Sequence, residues 1–237
     1  QVGAGDDHRW FLRRLEPAEA FATPEALRYE PVDYDADALS PDLAQLAFQL
    51  DDEWADAGEE TDERRATQTA TLLLTYPHAA SGTLPLNRRS RPFFPAGQGE
   101  RTMVMLVDGR WGNRFPAWAN HAGRYVVGLQ AWMEKHKLPA GALITLERRP
   151  DGDIVVDFKP KRMRREWMRW GQLDEDGELD IQLRKQEISC EYDEQIVIGA
   201  EKNAEFAAMR GKTQQQPLDT LVFQVFTELA GLSGSVN

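Results

Sequence analysis

Arginine and lysine residues in the middle of the sequence are the side chains best suited to contacting phosphate. They are Arg88, Arg89 and Arg91, then Arg114 and Arg124 near predicted strand ends, then Lys159, Lys161, Arg162, Arg164 and Arg165. The planar guanidinium group donates paired hydrogen bonds to phosphate oxygens and also binds guanine in the major groove of DNA. Asn120 and His121 lie in a predicted loop beside Arg124, where polar side chains can reach base edges. The pattern predicts a nucleic-acid-binding surface made of these residues.

Tryptophans accompany the basic residues, and aromatic rings can stack on nucleic-acid bases. Large aromatic side chains more often contribute to a core, where they bury a large apolar area. We therefore interpret these tryptophans as core or partly buried residues rather than stacking platforms: Trp111, Trp118, Trp132, Trp167 and Trp170.

A second chemical pattern is an acidic residue followed by an acid-x-lysine on a strand. Asp151 precedes Asp157-Phe158-Lys159 by six positions. Two carboxylates of this kind can hold Mg²⁺ while the lysine steadies an attacking water molecule. A Mg²⁺-dependent nuclease is therefore an alternative interpretation, and it requires a hairpin that brings the two acids together.

Other catalytic or cofactor motifs are absent from the sequence. It contains no Walker loop and no glycine-flanked serine of the nucleophile-elbow type. The four histidines lack zinc-ligand spacing, so we expect neither a metal nor another cofactor. Cys190 is the single cysteine and lies among acidic residues that raise the pKa of a thiol, so it is a poor nucleophile. We therefore expect a binding module rather than an enzyme. A single cysteine fits a reducing cytoplasm. We expect no membrane partner, because no apolar run approaches ~20 residues.

The net charge of −11 conceals a division of the chain into three parts. Residues 1–87 carry 6 basic and 18 acidic side chains, for a charge of −12. Residues 88–170 carry 17 and 8, for +9, and residues 171–237 carry 5 and 13, for −8. Binding to a polyanion depends on the local field, so the basic centre outweighs the acidic average. The acidic flanks either neutralise the basic face or compete with nucleic acid for it, which would make them autoinhibitory.

Short strands at close intervals position the basic residues and favour a barrel over βαβ units. The predicted strands are Thr83–Leu86, Thr102–Val107, Arg114–Ala119, Tyr125–Val127, Ala142–Leu146, one beginning at Ile154, Glu178–Leu183 and Glu194–Ile198. Asp108-Gly109 and Pro150–Asp153 are predicted turns between strands. Between Gly128 and the turn Leu138–Gly141, Leu129, Trp132 and Met133 have the spacing of a short helix.

Helices are predicted on both sides of this β-rich centre. Ser40-Pro41-Asp42 is a typical helix start, and apolar residues follow at helical spacing as far as Trp54. A second helix is predicted from Asp62 to Leu74, and two more over Glu201–Arg210 and Asp219–Ala230. The last has an apolar stripe that either covers the barrel or binds a protein partner through residues 217–231.

Residues 82–158 resemble the B3-type DNA-binding pseudobarrel, found in plant transcription factors and in the recognition domains of some restriction enzymes. The matching features are Leu84-Pro85, the strand Met103–Asp108, Trp118, Tyr125–Gly128, Trp132, and Leu138 with Gly141. Two positions depart from the pattern, since Leu129 replaces a tryptophan and Ala142 replaces an aspartate. The resemblance implies a pseudobarrel whose two loops grip the major groove. The second loop corresponds to Asn120–Arg124, and the first precedes Gly82, where Tyr76–Ser81 is not notably basic.

The sequence thus predicts an α+β protein with a mainly β central pseudobarrel between N-terminal and C-terminal helices. We expect an acidic helical region at residues 1–80, a β-rich domain with a basic surface at 81–200, and C-terminal helices at 201–237. The predicted function is binding of nucleic acid, most simply duplex DNA. The alternatives are a protein-interaction or assembly module of a larger protein and, after it, the Mg²⁺ nuclease.

Overall fold

The computed structural model describes residues 2–4, 9–11, 16–28, 36–44, 68–94, 101–194, 196, 198–201, 208 and 216–234. Its strands are β1 Val2–Ala4, β2 Arg9–Phe11, β3 Thr69–Leu73, β4 Thr83–Pro85, β5 Arg101–Asp108, β6 Arg114–Asn120, β7 Tyr125–Val127, β8 Leu143–Arg148, β9 Ile154–Phe158, β10 Pro160–Leu173, β11 Leu179–Cys190 and β12 Ile198–Ala200. Its helices are α1 Ala18–Phe21, α2 Tyr76–Ser81, α3 Gln130–His136 and α4 Leu218–Gly234, with short 3₁₀ turns at Glu25–Leu27, Ala36–Ala38 and Arg91–Phe93.

The central feature is a strongly curled seven-stranded sheet that forms half a barrel. Its strand order is β3-β8-β9-β5-β6-β7-β4. All neighbours are antiparallel except β5 and β9, which run parallel. The predicted α+β class with a barrel-like β centre between N-terminal and C-terminal helices is confirmed.

Turn chemistry joins the strands where the sequence predicts it. Asp108 accepts a hydrogen bond from the backbone N–H of Arg110 at 2.9 Å, which fixes the turn between β5 and β6. Asp151 accepts one from the N–H of Asp153 at 3.0 Å, in the turn between β8 and β9. An aspartate that bonds the backbone two residues ahead is the standard way to stabilise such turns.

Side chains of β6 and β7 alternate between two apolar clusters. Ala117, Ala119 and Val126 belong to the main core inside the half-barrel. This core also contains apolar residues of β3, β5, β8, β9, α3 and the 3₁₀ turn Arg91–Phe93. Trp118 and Tyr125 belong to a smaller cluster on the opposite face, which also contains Ala20, Leu27, Met103 and Val127. Residues 17–27 therefore cover the outer face of these strands.

A second sheet of order β11-β10-β12 extends from the end of the first. β10 and β11 form a long antiparallel hairpin whose register runs from Arg164 opposite Ile188 to Leu173 opposite Leu179. α4 packs against β11. We call residues 160–190 the hairpin arm.

The helix predicted over Asp62–Leu74 is wrong for its described part, because Thr69–Leu73 forms strand β3. This segment pairs with β8, Thr69 lying opposite Glu147 and Leu73 opposite Leu143. Leu72 is buried in the main core. The β-branched Thr69 and Thr71 suit a strand, and burial on the sheet outweighs a short helical periodicity. The central sheet therefore begins before residue 81.

The predicted start of the first N-terminal helix is confirmed at Ser40, whose hydroxyl accepts a hydrogen bond from the N–H of Leu43 at 3.3 Å. Residues 41–44 are helical, and the rest of that predicted helix lies outside the described residues. The helix predicted over Glu201–Arg210 falls almost wholly outside them as well. Among the described helices, none is both long and apolar enough to cross a membrane.

Gly128, between β7 and α3, tests how tightly the half-barrel is closed. Its φ of +113° suits glycine, and a Cβ there would lie 2.7 Å from the carbonyl oxygen of Pro116. We expect Gly128→Ala to lower the free energy of unfolding by about 3 kcal/mol, measured in urea, because backbone strain and a steric clash act together. Gly152→Ala is the matched control: its φ is +88° but nothing lies within 4 Å of the added carbon. It should cost about 1–2 kcal/mol, and equal losses in the two variants would contradict the steric argument.

Candidate nucleic-acid interface

The first basic group lies on a rigid turn after β4. The buried side chain of Asn87 accepts hydrogen bonds from the N–H groups of Arg89 at 3.1 Å and Ser90 at 3.2 Å. Ser90 is also buried and donates its hydroxyl to the carbonyl oxygen of Pro85 at 2.6 Å. Arg88 is exposed and Arg89 half-buried. Buried polar groups that satisfy one another fix the backbone from which these arginines project.

The second group lies on the turn between β6 and β7. Asn120 accepts a hydrogen bond from the N–H of Gly123 at 2.7 Å and donates to the hydroxyl of Tyr125 at 3.1 Å. It is buried, and a third contact joins it to the carbonyl oxygen of Ala20 at 3.3 Å. Asn120, expected to reach base edges, instead holds the turn in shape. The turn presents Arg124, whose φ of +58° marks a constrained left-handed position.

The two turns lie side by side although 34 residues separate Ser90 and Arg124. The N–H of Leu86 donates to the carbonyl oxygen of Arg124 at 2.8 Å. The guanidinium of Arg91 is close enough to His121 to influence its pKa. Arg148, on β8, donates to the carbonyl oxygen of Pro92 at 2.7 Å. We call this surface the basic end; its members are Arg88, Arg89, Arg91, His121 and Arg124, and Arg148 borders it through Pro92.

His121 contributes shape rather than charge to the basic end. Burial lowers its pKa from the ordinary value of 6.5, and the positive charge of Arg91 lowers the pKa further. The imidazole is therefore neutral at pH 7. Its Nε2 atom is buried and, among the described residues, has no hydrogen-bond partner.

Arg114 does not belong to the basic end. It begins β6, whereas Asn120 ends it, and a strand of seven residues spans about 20 Å. Its guanidinium pairs with the carboxylate of Asp153 on the turn before β9. The structure thus separates Arg114 from Arg124, which the sequence pattern had grouped.

The remaining predicted residues lie on β10 and just before it. Three are paired with glutamates: Lys159 with Glu191 at 3.7 Å, Lys161 with Glu166 at 3.5 Å, and Arg165 with Glu187 at 3.7 Å. Exposed pairs of this kind contribute little to stability and exchange readily. Arg162 and Arg164 are exposed, and neither forms an ion pair with any described residue.

These β10 residues lie away from the basic end. Arg101 opens β5 opposite Asn120, while Asp108 closes β5 opposite Val156 of β9. β9 then continues to Phe158 before β10 begins. Because eight residues of β5 span about 25 Å, the two basic surfaces occupy opposite ends of the central sheet.

The nuclease alternative lacks its geometry. Asp157 pairs with Arg110 at 2.8 Å, Asp151 caps its own turn, and Lys159 contacts Glu191. In the part of the chain that the structure describes, no three histidine, cysteine or acidic side chains come together to hold a metal ion. Asp151, Asp157 and Lys159 thus each contact a different residue and do not form one site.

A buried charged network, which the sequence patterns did not predict, lies where β5 meets α3. The Asp108 carboxylate is 3.1 Å from Nε2 of His136 and 3.4 Å from Nζ of Lys135. Burial raises the pKa of Asp108, but the hydrogen bonds from the Arg110 N–H and from His136 outweigh it and leave the pKa below 3.8. The His136 ring packs within 5.1 Å of both Trp111 and Phe158. Two features of the sequence could have revealed this network: an aspartate that ends an apolar strand and a histidine in the last turn of a predicted helix.

Cys190 is buried at the end of β11, and burial raises the pKa of its thiol to about 11. The expectation of a poor nucleophile is confirmed. The cause differs, because desolvation rather than the neighbouring carboxylates dominates.

Comparison with known proteins adds no further site residue: no family model matches the chain, and neither a curated protein nor a solved structure does. The geometry selects the basic end and β10 as two separate candidate surfaces.

Asp108→Asn tests the buried network through its pH dependence. The folded pKa is lower than the ordinary 3.8, so the ionised carboxylate stabilises the fold above that value and this contribution is lost as the pH falls through the folded pKa. We expect the variant to be about 3 kcal/mol less stable at pH 7 in urea unfolding. Between pH 7 and about 3 it should lose less stability than the parent.

Asp151→Asn is the control, since its amide oxygen can still accept the turn hydrogen bond from Asp153. It should change the free energy of unfolding far less at either pH. Equal behaviour of the two variants would show that Asp108 is not an anchor.

Proposed function

We propose that the chain is a nucleic-acid-binding module that contacts duplex DNA through the basic end. The observation that carries this proposal is the hydrogen bond of 2.8 Å between Leu86 and Arg124, which holds two arginine-bearing turns together. Each turn is independently fixed by a buried asparagine, Asn87 or Asn120. Preorganised cations bind phosphate without first ordering long loops.

Local charge supports binding despite the net charge of −11. At physiological ionic strength charges more than about 8 Å apart are largely screened, so a phosphate senses the arginines beside it rather than the chain's average. Arginine is suited to this role because its charge persists at all relevant pH values and its fork matches phosphate oxygens. We therefore assign phosphate contacts to Arg88, Arg89, Arg91 and Arg124.

A B3-like arrangement remains part of the proposal, and the curled sheet is consistent with it. Gly128 and Gly141 have positive φ values, of +113° and +89°, at the two ends of the α3 connection. Trp132 is buried in the main core and Leu138 packs against it. The partner of the Asn120–Arg124 loop is better assigned to the Asn87–Arg91 turn than to Tyr76–Ser81, which forms α2. Two loops that meet at one end of a half-barrel have the form needed to straddle a groove.

An assembly module is the second candidate function, and the surface of α4 favours it. Phe223 is 75% exposed and Phe226 66% exposed, and they lie three positions apart on one side of the helix. Val222 adds to the same apolar stripe. Exposed apolar stripes of this kind bind partner proteins. This candidate predicts no binding of DNA at low salt.

A paired substitution tests the basic end. We expect Arg88→Ala/Arg89→Ala to weaken duplex binding at least ~10-fold in fluorescence anisotropy at about 50 mM salt. The slope of log affinity against log salt should fall by about 1.8, because each lost phosphate contact removes about 0.9. The matched control is Arg162→Ala/Arg164→Ala, which removes the same charge at the opposite end of the sheet. An unchanged slope in the first variant, or an equal loss in the second, would contradict the assignment; no binding by the parent would favour the assembly module.

Autoinhibition by the acidic flanks is a further part of the proposal, motivated by the −12, +9, −8 division of charge. Deleting residues 1–75 would remove strand β3, so charge neutralisation is the better test. We expect Asp51→Asn/Asp52→Asn/Glu53→Gln to tighten duplex binding severalfold, because fewer carboxylates then compete with DNA for the basic end. The gain should be larger at low salt, where the attraction between the carboxylates and the arginines is screened less. Asp174→Asn/Asp176→Asn, on the tip of the hairpin arm, is the control, and equal gains in both would indicate a general charge effect.

A further inference from the structure

Trp167 is an exposed aromatic ring on the hairpin arm. Its side chain is 59% exposed although it lies in the middle of β10. Lys185 lies opposite it on β11, and Arg165 lies two positions before it, on the same face of the strand. A large ring between two cations on an open sheet surface is unusual for a purely structural residue, since apolar side chains stabilise the fold mainly by burial.

Trp111 is an equally exposed tryptophan whose ring already contacts two neighbouring side chains. Trp111 is 60% exposed, but the Lys135 ammonium lies 3.5 Å from its centroid and the His136 ring 5.1 Å from it. In the described part of the chain the ring of Trp167 has a single such contact, with Lys185 at 4.8 Å. One face of Trp167 is therefore open to a planar partner.

The charge around Trp167 defines the chemistry of that partner. Arg165 is paired with Glu187 at 3.7 Å, but both side chains are exposed, so a phosphate can replace the carboxylate at little cost. Lys185 is exposed as well. Arg164 lies on the other face of the strand, opposite Ile188, and Arg162 lies in the irregular part of the register. The face of Trp167 thus joins an aromatic ring to two exposed cations, the combination that binds single-stranded nucleic acid.

A cavity adjoins the same surface. It has a volume of about 530 Å³, within the usual range for a small-molecule site. It is lined by apolar residues of the opposite face, Met168, Trp170 and Ile188, and by charged residues of the Trp167 face, Arg165, Lys185 and Glu187.

We propose that the hairpin arm binds single-stranded nucleic acid, with one base stacked on Trp167 and the flanking phosphates held by Arg165 and Lys185. Neutral π-faces are common to all bases, so the site reads little sequence. This surface lies at the opposite end of the central sheet from the basic end. The inference therefore does not depend on duplex binding there.

Fluorescence anisotropy with labelled oligothymidylate and oligouridylate of about 12 nucleotides tests the proposal and separates DNA from RNA. The parent chain should bind at least one of them at about 50 mM salt. Trp167→Ala should weaken binding about 10-fold, while Trp167→Phe retains most of it because a phenyl ring still stacks. Arg165→Ala/Lys185→Ala should weaken binding and lower the salt slope by about 1.4, since each single-strand contact adds about 0.7.

Trp111→Ala is the matched control, an equally exposed tryptophan with its own lysine contact. It should bind the oligonucleotides as the parent does, and Arg88→Ala/Arg89→Ala should do the same while losing duplex affinity. Near-ultraviolet circular dichroism verifies that each variant is folded. The proposal is overturned if the parent binds neither oligonucleotide, if folded Trp167→Ala binds as tightly as the parent, or if Trp167→Phe loses as much affinity as Trp167→Ala.

Discussion

The buried carboxylate of Asp108 is the contact on which the arrangement of the half-barrel depends. It joins the end of β5 to the turn that follows through the Arg110 N–H, and to α3 through His136 and Lys135. Arg110 extends the connection to β9, because its guanidinium donates to the carbonyl oxygen of Phe158 and pairs with Asp157. A buried ion whose partners come from both a turn and a helix is costly to break, since removal of one partner leaves the others unsatisfied.

Buried polar side chains also fix the backbone at the basic end. Asn87 and Asn120 are nearly inaccessible, and each satisfies the backbone of its own turn. Tyr125 then connects the second turn to the N-terminal segment by donating to the carbonyl oxygen of Glu19 at 2.6 Å. The residues suited to contact with a ligand are therefore the arginines between these anchors, and the asparagines determine where the arginines point.

The sequence predicted the fold where local signals and tertiary packing agree. Asp108-Gly109 and Pro150–Asp153 are turn motifs flanked by apolar runs, so β5, β6, β8 and β9 could be placed within a few residues. β3 could not, because five residues do not by themselves distinguish a strand from the end of a helix, and only pairing with β8 makes Thr69–Leu73 a strand. The full length of β10 was missed for a related reason. Its first half is polar and exposed on both faces, and so lacks the alternation that reveals a half-buried strand.

The candidate site was predictable in residue type but not in grouping. Arginines and a polar loop could be recognised, but Arg88 and Arg124 become neighbours only through the pairing of β4 with β7. Asn120 was assigned to the ligand because loop amides usually face water, and its bonds to Tyr125 and Gly123 come from a turn whose geometry a sequence does not reveal. Trp167 was interpreted as a core or partly buried residue on general frequency, and its side chain is instead 59% exposed on the face of β10 opposite Met168.

The crossing from the half-barrel into the hairpin arm determines how the arm behaves mechanically. A single residue, Lys159, separates β9 from β10, and its N–H and carbonyl groups bond to Leu143 and Glu191. The N–H of Asp193 donates to the carbonyl oxygen of Gly141 nearby. Hydrogen bonds therefore join the root of the arm to the half-barrel on the side of each of its two strands. The arm is also held beyond its root, because Met168 and Ile188 belong to the main core and β12 pairs with β10 from Arg169 to Gly171. The arm therefore moves together with the half-barrel rather than as a separate lever, and a ligand on Trp167 would be held in a fixed orientation relative to the central sheet.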